Sequence, residues 1–394
     1  MPKMTVKDVE VKGKKVLVRV DFNVPLEDGE VTDDTRIRES LPTIKYLLEQ
    51  NARVIVMAHL GRPKGEAKDE LRLDPVCKRL EVLLNASVQK TDTVVGKEVE
   101  DAVAGLNEGE VLLLENVRFE PGEEKNDLDL AQQMAQLGDI YVNDAFGAAH
   151  RAHSSTEGVA RYLPAVSGFL LEKEVEVLEK CLHAPERPLT AIFGGAKVSD
   201  KIGVIKRFLD IADYLIIGGG MANTFLVAKG YDPAESFYES SKIDVAKELL
   251  ELSDKKNNPL YLPDDVVVTE KLEEGYPSHE VSVEKIPEGW QSVDIGSRTR
   301  DNFSDLVQNS GVVVWNGPMG VFEVSPFHRG TEAVANAAVD SEAYVLVGGG
   351  DTASAMEMLK LVDKVDHVST GGGATLEYLE GRELPGIAAL KDRE

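Results

Sequence analysis

Basic and polar residues follow the apolar runs in the first half of the chain, where buried strands are expected to end. Arginine presents a planar fork of N–H donors that suits bidentate binding of phosphate and carboxylate groups. A single loop arginine is usually solvated or held in a weak surface ion pair. Four arginines and two histidines in a chain of formal net charge −25 instead indicate a pocket for a small, doubly anionic ligand. The residues of this predicted pocket are Asp21, Asn23, Arg36, His59, Arg62, Arg118, His150 and Arg151.

Glycines take the corresponding positions in the second half. Four clusters follow apolar runs, at 194–195, 218–220, 348–350 and 371–373. Glycine lets backbone N–H groups approach a phosphate closely, and the N-terminus of a following helix favours negative charge. One such cluster is commonly a turn and nothing more. Four of them, each near a strand-to-helix junction, favour a nucleotide site.

Charged residues near these clusters suit a nucleotide that carries a metal ion. Lys197 and Lys201 stand four residues apart, so in a helix they would share one face and reach one phosphate chain. Asp351 suits Mg²⁺, which prefers oxygen ligands, and Glu323 is a candidate for the ribose hydroxyls. The chain has neither a GxxxxGKS/T loop nor the HRD and DFG elements of protein kinases, so the predicted site is of neither common type.

An alternation of strands and helices must position these residues. Apolar runs without polar alternation are typical of strands covered on both faces, as in parallel sheets. A helix is predicted over 35–50, where Ile37, Leu41, Ile44 and Leu47 recur at helical spacing. The predicted fold class is α/β, with two doubly wound parallel-sheet (Rossmann-like) domains joined by a hinge helix. The predicted strands are 16–20, 53–58, 111–114, 139–142, 189–193, 214–217, 312–315 and 344–347.

The length of 394 residues exceeds what one hydrophobic core usually serves, so two domains are expected. Between the halves, 170–182 has the pattern of one charged helix, and a Pro-rich loop at 183–188 follows it. We predict an N-terminal domain over 1–169, an interdomain helix and hinge over 170–185, and a nucleotide-binding domain from 186.

Composition and charge restrict the location and the partners. The first ten residues carry Lys3 and Lys7 without an apolar stretch, so we expect no signal peptide and a cytoplasmic protein. Cys77 and Cys181 lie far apart, which argues against a disulfide framework and fits a reducing compartment. An acidic chain repels nucleic acid and anionic membranes, so small-molecule substrates are expected, with no nucleic-acid or membrane partner.

These residues favour phosphoryl transfer between an anion on one domain and a nucleotide on the other, upon domain closure. A nicotinamide-dependent dehydrogenase would need a GxGxxG segment and a later acidic residue, and no convincing match occurs. A non-catalytic protein that closes on a sugar phosphate would explain the arginines but not Lys197, Lys201 and Asp351. His150 and His153 are close enough to suggest metal ligands, but no third ligand has zinc-site spacing nearby.

Nine segments, in order along nearly the whole chain, resemble the signatures of the phosphoglycerate kinase family. Agreement over so many separate segments is not expected by chance. The segments are VRVDFNVP at 18–25, HLGRP at 59–63, LENVRF at 114–119, DAFGAAHRAHS at 144–154, GGAKVSDK at 194–201, GGGMA at 218–222, WNGPMG at 315–320, GGGDT at 348–352 and STGGG at 369–373.

This resemblance implies a role for each matching residue. Of the residues that would hold 3-phosphoglycerate, Arg36 would face the carboxyl group and Arg62, Arg118 and Arg151 the phosphate. The full implied set for this acid is Asp21, Asn23, Arg36, His59, Arg62, Arg118 and Arg151. The implied nucleotide-binding set is Gly195, Lys197, Lys201, Gly219, Asn316, Glu323, Gly350, Asp351, Thr352 and Ala353.

The resemblance also implies the catalytic groups and the arrangement of the chain. Lys197 would follow the moving phosphoryl group, Asp351 would face Mg²⁺, and Arg36, Gly372 and Gly373 would complete the catalytic set. The nucleotide-binding domain would end at 374, and the segment 375–394 would return to the N-terminal domain. The family resemblance further suggests a hinge-bending monomer that acts in glycolysis.

Overall fold

The computed structural model describes residues 2–183 and 186–393 and contains two compact units. The first unit comprises Met1–Glu176 and Glu383–Glu394, and the second comprises Val177–Arg382. Ala184 and Pro185, which belong to the predicted hinge and its Pro-rich loop, lie outside the described residues, as do the two terminal residues.

A parallel sheet forms the centre of the first unit. Its strands are β1 (Lys15–Val20), β4 (Arg53–Met57), β5 (Val88–Lys90), β6 (Val111–Leu113), β7 (Ile140–Asp144) and β8 (Ala165–Ser167), while β2 (Leu26–Glu27) and β3 (Glu30–Val31) form a separate hairpin. The order in the sheet is β5-β6-β4-β1-β7-β8, with every pairing parallel. Strands β1, β4 and β7 are buried along nearly their whole length, as their mostly apolar sequences predict.

Helices alternate with these strands. They are α1 (Thr35–Glu49), α2 (Asp74–Leu84), α3 (Lys97–Gly105) and α4 (Leu128–Ala135), followed by α5 (Phe169–Leu182). Helix α1 buries Ile37, Leu41, Ile44 and Leu47, the residues whose spacing predicted it. Helix α5 begins in the first unit and ends in the second, because the boundary between the units falls after Glu176.

The second unit contains a parallel sheet and a smaller antiparallel one. Its strands are β9 (Leu189–Phe193), β10 (Tyr214–Ile217), β11 (Leu260–Tyr261), β12 (Asp265–Thr269), β13 (Ser278–Ser282), β14 (Gln291–Ile295), β15 (Val312–Asn316), β16 (Tyr344–Gly348) and β17 (His367–Val368). The parallel sheet has the order β11-β10-β9-β15-β16-β17, and the antiparallel sheet has the order β13-β12-β14.

The remaining helices complete both units. They are α6 (Ile202–Ile211), α7 (Gly219–Ala228), α8 (Ile243–Lys256), α9 (Ser297–Gln308), α10 (Arg329–Asp340), α11 (Gly350–Met358), α12 (Gly373–Glu380) and α13 (Pro385–Ala388). Of the segment expected to return, 375–382 lies in the second unit and 383–394 in the first. Helix α13 is held there by Asn143, whose Nδ2 donates to Gly386 O at 2.9 Å. Within the described ranges, no helix combines the length and the apolarity that crossing a bilayer needs.

The predicted fold class is confirmed. In the first unit the chain proceeds from β1 to one edge of the sheet and then returns to β7 on the other side of β1. The second unit does the same between β9 and β15. Ligands of doubly wound sheets bind beyond the carboxyl ends of the strands at such reversals, so both reversals mark candidate sites.

Candidate active site

Neighbouring strand ends bring predicted anion-binding residues of the first unit together. Asp21 follows β1 directly, and His59 lies two residues after β4, which pairs with β1. Arg36, the second residue of α1, donates from Nη1 to Asp21 Oδ2 at 2.6 Å. This ion pair fixes Arg36 beside the end of β1, while about a third of its side chain, 36%, stays exposed to a ligand.

Hydrogen bonds tie the loop after β4 to two other strand ends. Asn23 Oδ1 accepts from Gly61 N at 2.8 Å, and Arg118 Nη1 donates to Gly61 O at 2.7 Å. Asn116 Nδ2 donates to Leu60 O at 2.8 Å, and its Oδ1 accepts from Leu60 N at 3.2 Å. Three of the sequence motifs therefore meet around the backbone of Gly61. Asn116, which the LENVRF motif contains, therefore has a positioning role that was not predicted from the sequence.

His59 and Arg118 are buried among like charges. Burial lowers the pKa of His59 well below its ordinary value, and Arg19, Arg118 and Arg36 lower it further. Burial likewise lowers the pKa of Arg118, with Arg19 as the next cause. His59 is therefore neutral at neutral pH, whereas the guanidinium groups stay charged. Positive charge concentrated in this way attracts an anion, in contrast to the acidic chain as a whole.

Two predicted arginines are exposed rather than locked in place. Arg151 Nε donates to His150 Nε2 at 3.0 Å, and Arg62 makes no ion pair with another described residue. Burial lowers the pKa of His153 to about 4, with Arg118 as the next cause and Arg151 a smaller one. In the described part of the chain no group of three or more His, Cys, Asp or Glu side chains is placed to hold a metal, so the histidine pair gains no third ligand.

A buried polar network lies next to this site, and the sequence analysis did not identify it. Arg19, Ser155 and Glu123 are all fully buried. Arg19 Nε donates to Ser155 Oγ at 2.8 Å, and Ser155 Oγ donates to Glu123 Oε1 at 2.5 Å. The one signal in the sequence was a charged residue inside the apolar run of β1. Its partner Ser155 is 136 residues away and cannot be inferred from spacing.

In the second unit, loops at the strand ends line a cavity of about 390 Å³, called here the glycine cavity. It lies at the reversal of strand order between β9 and β15, and three of the four predicted glycine clusters contribute to it. Its lining residues are Gly195, Ala196, Lys197, Asp200, Lys201, Asn316, Gly317, Gly349, Gly350, Asp351, Thr352, Gly372, Gly373 and Leu376.

Lys197 and Lys201 reach the glycine cavity from a loop. Helix α6 begins only at Ile202, so the helical arrangement in which the two lysines would share one face is not present. Burial lowers the pKa of Lys201, an effect that Asp200 and Asp351 partly oppose. Burial disfavours the charged form of this lysine, and the negative charge of a bound phosphate would stabilise that form.

Gly195 and Gly219 allow three loops to pack in contact. Gly195 N donates to Pro318 O at 2.8 Å, and Gly219 N donates to Met319 O at 3.1 Å. A Cβ on Gly219 would stand 2.6 Å from Gly195 N and 2.7 Å from Pro318 O, at a φ of +65°. The N–H groups of these two glycines are therefore already used. Glycine is present at these two positions because the loops pack closely there, and not because the N–H groups donate to phosphate, as was predicted for these clusters.

The ends of β15 and β16 supply polar groups to the glycine cavity. Asn316 is buried, and its Nδ2 has no hydrogen-bond acceptor among the described residues, which suits a ligand oxygen. Thr352 Oγ1 accepts from Gly317 N at 2.6 Å and so ties the loop after β15 to α11. Residues 350–353 form the first turn of α11, where the first N–H groups have no acceptor within the helix.

Asp351 suits one carboxylate ligand of a magnesium ion. It is exposed, lines the glycine cavity together with both lysines, and stands in the first turn of α11. Mg²⁺ usually binds proteins through one or two carboxylates and completes its shell with substrate phosphates and water. The residues present therefore fit an ion that arrives with a nucleotide.

A second cavity of about 310 Å³, called here the apolar cavity, adjoins the first through Gly195, Ala196 and Asp351. Glu323, predicted to hold ribose hydroxyls, is exposed at its edge, and Gly219 contributes to its wall. The sequence analysis missed this cavity because β12 and β14, which supply part of its wall, were not predicted. Its apolar side chains include Ala222, Phe237, Val266, Leu272, Val293, Met319 and Val321.

A basic anion site on one doubly wound unit and a glycine-lined cavity beside an apolar one on another define the class of two-domain α/β phosphotransferases. The family model for phosphoglycerate kinase matches residues 6–382. The solved structure of phosphoglycerate kinase from Coxiella burnetii is 42% identical, with a TM-score of 0.90 and 98% of each chain covered. That of phosphoglycerate kinase from Pyrococcus horikoshii OT3 is 32% identical, with a TM-score of 0.86 and the same coverage. The chain belongs to the phosphoglycerate kinase family and is a phosphotransferase, as its sequence motifs predicted.

Proposed function

We propose that the chain catalyses Mg²⁺-dependent, reversible phosphoryl transfer from 1,3-bisphosphoglycerate to ADP, which gives 3-phosphoglycerate and ATP. The observation that carries this proposal is the glycine cavity, where two lysines, a buried amide donor and two aspartates, Asp200 and Asp351, surround a space suited to phosphates. Family membership adds the second substrate, phosphoglycerate, whose carboxyl group would accept the phosphoryl group from ATP in the reverse direction. The proposed setting is glycolysis and gluconeogenesis in the cytoplasm, with the chain acting as a monomer.

The proposed acid site is the basic edge of the first unit. Arg36 would hold the reacting carboxyl group, since its ion pair with Asp21 fixes it while leaving it accessible. Arg118 would hold the phosphate at the other end of the acid, together with the exposed Arg62 and Arg151. Asn23 and His59 would complete the site as hydrogen-bonding groups.

The proposed nucleotide site comprises both cavities of the second unit. The base would occupy the apolar cavity, Glu323 would contact the ribose, and the phosphates would lie in the glycine cavity near Lys201 and Asn316. Bound Mg²⁺, held by Asp351 and phosphate oxygens, would neutralise phosphate charge.

Transfer of a phosphoryl group needs little covalent help from a protein, so positioning and positive electrostatics are expected to carry the catalysis. Arg36, Lys197 and the N–H groups of Gly372 and Gly373 would stabilise the charge on the moving group. No general base is required, because a carboxylate or phosphate oxygen is already ionised. We further propose that hinge bending along α5 unites the acid and the nucleotide for transfer.

A coupled assay tests this function. The purified chain is given 3-phosphoglycerate and Mg·ATP with glyceraldehyde-3-phosphate dehydrogenase and NADH, and the loss of NADH absorbance is followed. We expect steady loss that stops when 3-phosphoglycerate is left out or when EDTA removes Mg²⁺. Folded protein that gives no loss would refute the proposal. Calorimetry with each ligand alone would then distinguish a non-catalytic binding protein from a kinase with another acceptor.

A further inference from the structure

Arg19 is a fully buried cation whose three hydrogen bonds fix its position in the first unit. Its Nε donates to Ser155 Oγ at 2.8 Å, and its Nη1 donates to the carbonyl oxygen of Val20. Its Nη2 lies 3.1 Å from Nδ1 of His59. The third contact joins Arg19 to a residue of the proposed acid site, although Arg19 was assigned no role there.

The contact between Arg19 and His59 determines which ring nitrogen carries the proton. A guanidinium group has N–H donors and no acceptor, so Nδ1 of His59 must be the acceptor. If Nδ1 carried a proton, its N–H and the N–H of Arg19 Nη2 would point at each other across 3.1 Å. Both the imidazolium ion and the tautomer protonated at Nδ1 are therefore disfavoured. The neutral tautomer with its proton on Nε2 remains.

A buried acid, Glu123, faces Arg19 across Ser155. Burial raises the pKa of Glu123, whereas Arg19 and the hydrogen bonds from Ser155 lower it and so favour the carboxylate. Glu123 is fully buried and accepts from Ser155 N at 2.9 Å and from Ser155 Oγ at 2.5 Å. Ser155 thus links the carboxylate to the guanidinium, since its own Oγ accepts from Arg19. A buried cation is tolerated when it is both hydrogen-bonded and compensated in this way. The network therefore holds one donor against His59 Nδ1.

We propose that Arg19 is a positioning residue that fixes His59 as the neutral tautomer with its proton on Nε2, so that the ring presents a hydrogen-bond donor to the anionic acid. The tautomer follows from the contact itself, and only the benefit to the acid rests on the proposed function. His59 then contributes a fixed donor rather than a titrating charge.

The surroundings of His59 explain why a positioning residue is needed. Asp21 Oδ1 lies 3.9 Å from His59 Nδ1, close enough to attract a proton to that nitrogen if Arg19 were absent. Burial and the neighbouring arginines lower the pKa of His59, in agreement with a neutral ring. The charged and titratable groups that act on His59 are Arg19, Asp21, Arg36, Arg118 and His153.

The first experiment needs only the ligand-free wild-type chain. Nitrogen-15 NMR of histidine-labelled protein distinguishes a protonated ring nitrogen from an unprotonated one, and a His59→Gln variant identifies the His59 signals. We expect Nδ1 unprotonated and Nε2 protonated at every pH from 6 to 8. A protonated Nδ1, or a ring that titrates in this range, would overturn the proposal whether or not the chain is a kinase.

The second experiment removes the donor. Arg19→Met is compared with Arg19→Met/Glu123→Gln, which leaves no uncompensated buried carboxylate, and with Lys15→Met as a control. Lys15 lies at the other end of the same strand, roughly 13 Å away at about 3.3 Å per residue. In the Arg19 variants we expect a titrating His59 signal and a mixture of tautomers. Lys15→Met should keep the wild-type signal.

Kinetics then separate positioning from mere structural support. We expect the Arg19 variants to raise KM for 3-phosphoglycerate by roughly three- to tenfold, the value of one hydrogen bond, with kcat nearly unchanged. The increase in KM relative to wild type should grow as pH rises through the new pKa of His59. Below that pKa the ring is an imidazolium ion, which still carries a proton on Nε2. Folded Arg19 variants with an altered tautomer but an unchanged KM would refute the role in acid binding while leaving the tautomer established.

Discussion

At the residue scale, the ion pair of Arg36 with Asp21 fixes the position of a positive charge and leaves it accessible to a ligand. Its ion pair with Asp21 joins the first turn of α1 to the end of β1. The side chain remains partly exposed, so the pair is screened and contributes little to stability. Its value is therefore expected to lie in catalysis, where a fixed positive charge stabilises charge that develops in the transition state.

Replacing Arg36 with alanine should lower kcat by roughly 10²–10³-fold, the cost of removing one positioned donor to developing charge. The measurement is the coupled assay at saturating 3-phosphoglycerate and Mg·ATP. Arg38→Ala is a matched control, since Arg38 stands two residues further along α1 and pairs with Asp34 at 2.7 Å on an exposed surface. It should keep nearly normal kcat. An Arg36→Ala variant with near-normal kcat would disprove the assigned role.

Residues that can contact a ligand were easier to predict from the sequence than residues that support them. Arg36 and Arg118 were identified because several basic residues gather near strand ends in an otherwise acidic chain. Asn116 and Glu123 were not, because their function depends on partners distant in the chain. Ser155, for example, joins Glu123 to Arg19 across separations of 32 and 136 residues, and no local pattern encodes such a contact.

At the element scale, the glycines of the second unit have two different physical purposes. Gly219 has a positive φ and no room for a Cβ, because Gly195 and Pro318 pack against it. Gly350 has open space around the position of a Cβ and begins α11 at the edge of the glycine cavity. One glycine is thus required for folding, and the other leaves space for a ligand.

Alanine at these two positions should separate stability from binding. Gly219→Ala should lower the free energy of unfolding by at least about 2 kcal/mol, because the added Cβ meets backbone atoms at a strained φ. Gly350→Ala should leave stability within about 1 kcal/mol of wild type, since alanine favours a helix, yet weaken binding of Mg·ADP. Denaturant titration and calorimetry measure the two effects. Equal losses of stability in both variants would contradict this distinction.

The N-terminal turn of helix α5 donates hydrogen bonds to a buried acid, Asp144, whose titration should make stability depend on pH. Asp144 Oδ1 accepts from Leu170 N at 2.9 Å and from Leu171 N at 3.3 Å, while Oδ2 has no hydrogen-bond partner among the described residues. Burial raises the pKa of Asp144 to about 7, although the side chain of Thr43 and these N–H donors favour the ionised form. The folded state thus binds this proton more tightly than the unfolded state, so stability falls as pH rises from about 4 to about 7 and then levels off.

Asp144→Asn should remove that pH dependence, because asparagine stays neutral and can still accept at Oδ1. Relative to the variant, the wild type should lose about 3 kcal/mol of unfolding free energy between pH 5 and pH 8. Urea titrations across this range give the difference. Asp294, another buried acid whose pKa is raised to about 7, titrates in both proteins and cancels. Parallel curves for the two proteins would show that Asp144 ionises normally.

The period of the hydrophobic pattern and the burial of each strand explain which elements could be predicted from the sequence. The eight predicted strands are mostly apolar runs, and all of them are present with ends shifted by no more than two residues. The parallel strands β5, β8, β11 and β17 have only two or three residues each, too few to give such a signal. The antiparallel strands β13 and β14 are half-exposed and mostly polar, and they carry no such signal. A loop of residues 317–328 separates β15 from α10, so this helix does not follow its strand directly.

At the scale of the whole molecule, each proposed ligand belongs to a different compact unit. The chain passes between the units only after residues 176 and 382. Any coupling between the acid and the nucleotide through the backbone must involve these two crossings, and the first lies inside α5. Ligand effects confined to one unit can therefore be distinguished from effects that need both.

Hydrogen exchange should reveal this division. Alone, 3-phosphoglycerate should slow exchange around the ends of β1 and β4, and Mg·ADP should slow it around residues 194–201 and the start of α11, because ligands stabilise the elements they contact. The two together cannot react, since neither carries a transferable phosphoryl group, yet they should slow exchange in α5 beyond the sum of the single effects. Such excess protection is the expected sign of hinge bending, because closure that needs both ligands contributes a coupling free energy absent from either binary complex. If protection of α5 merely adds, the hinge is not linked to ligand binding, and the two units act as independent binding modules until chemistry occurs.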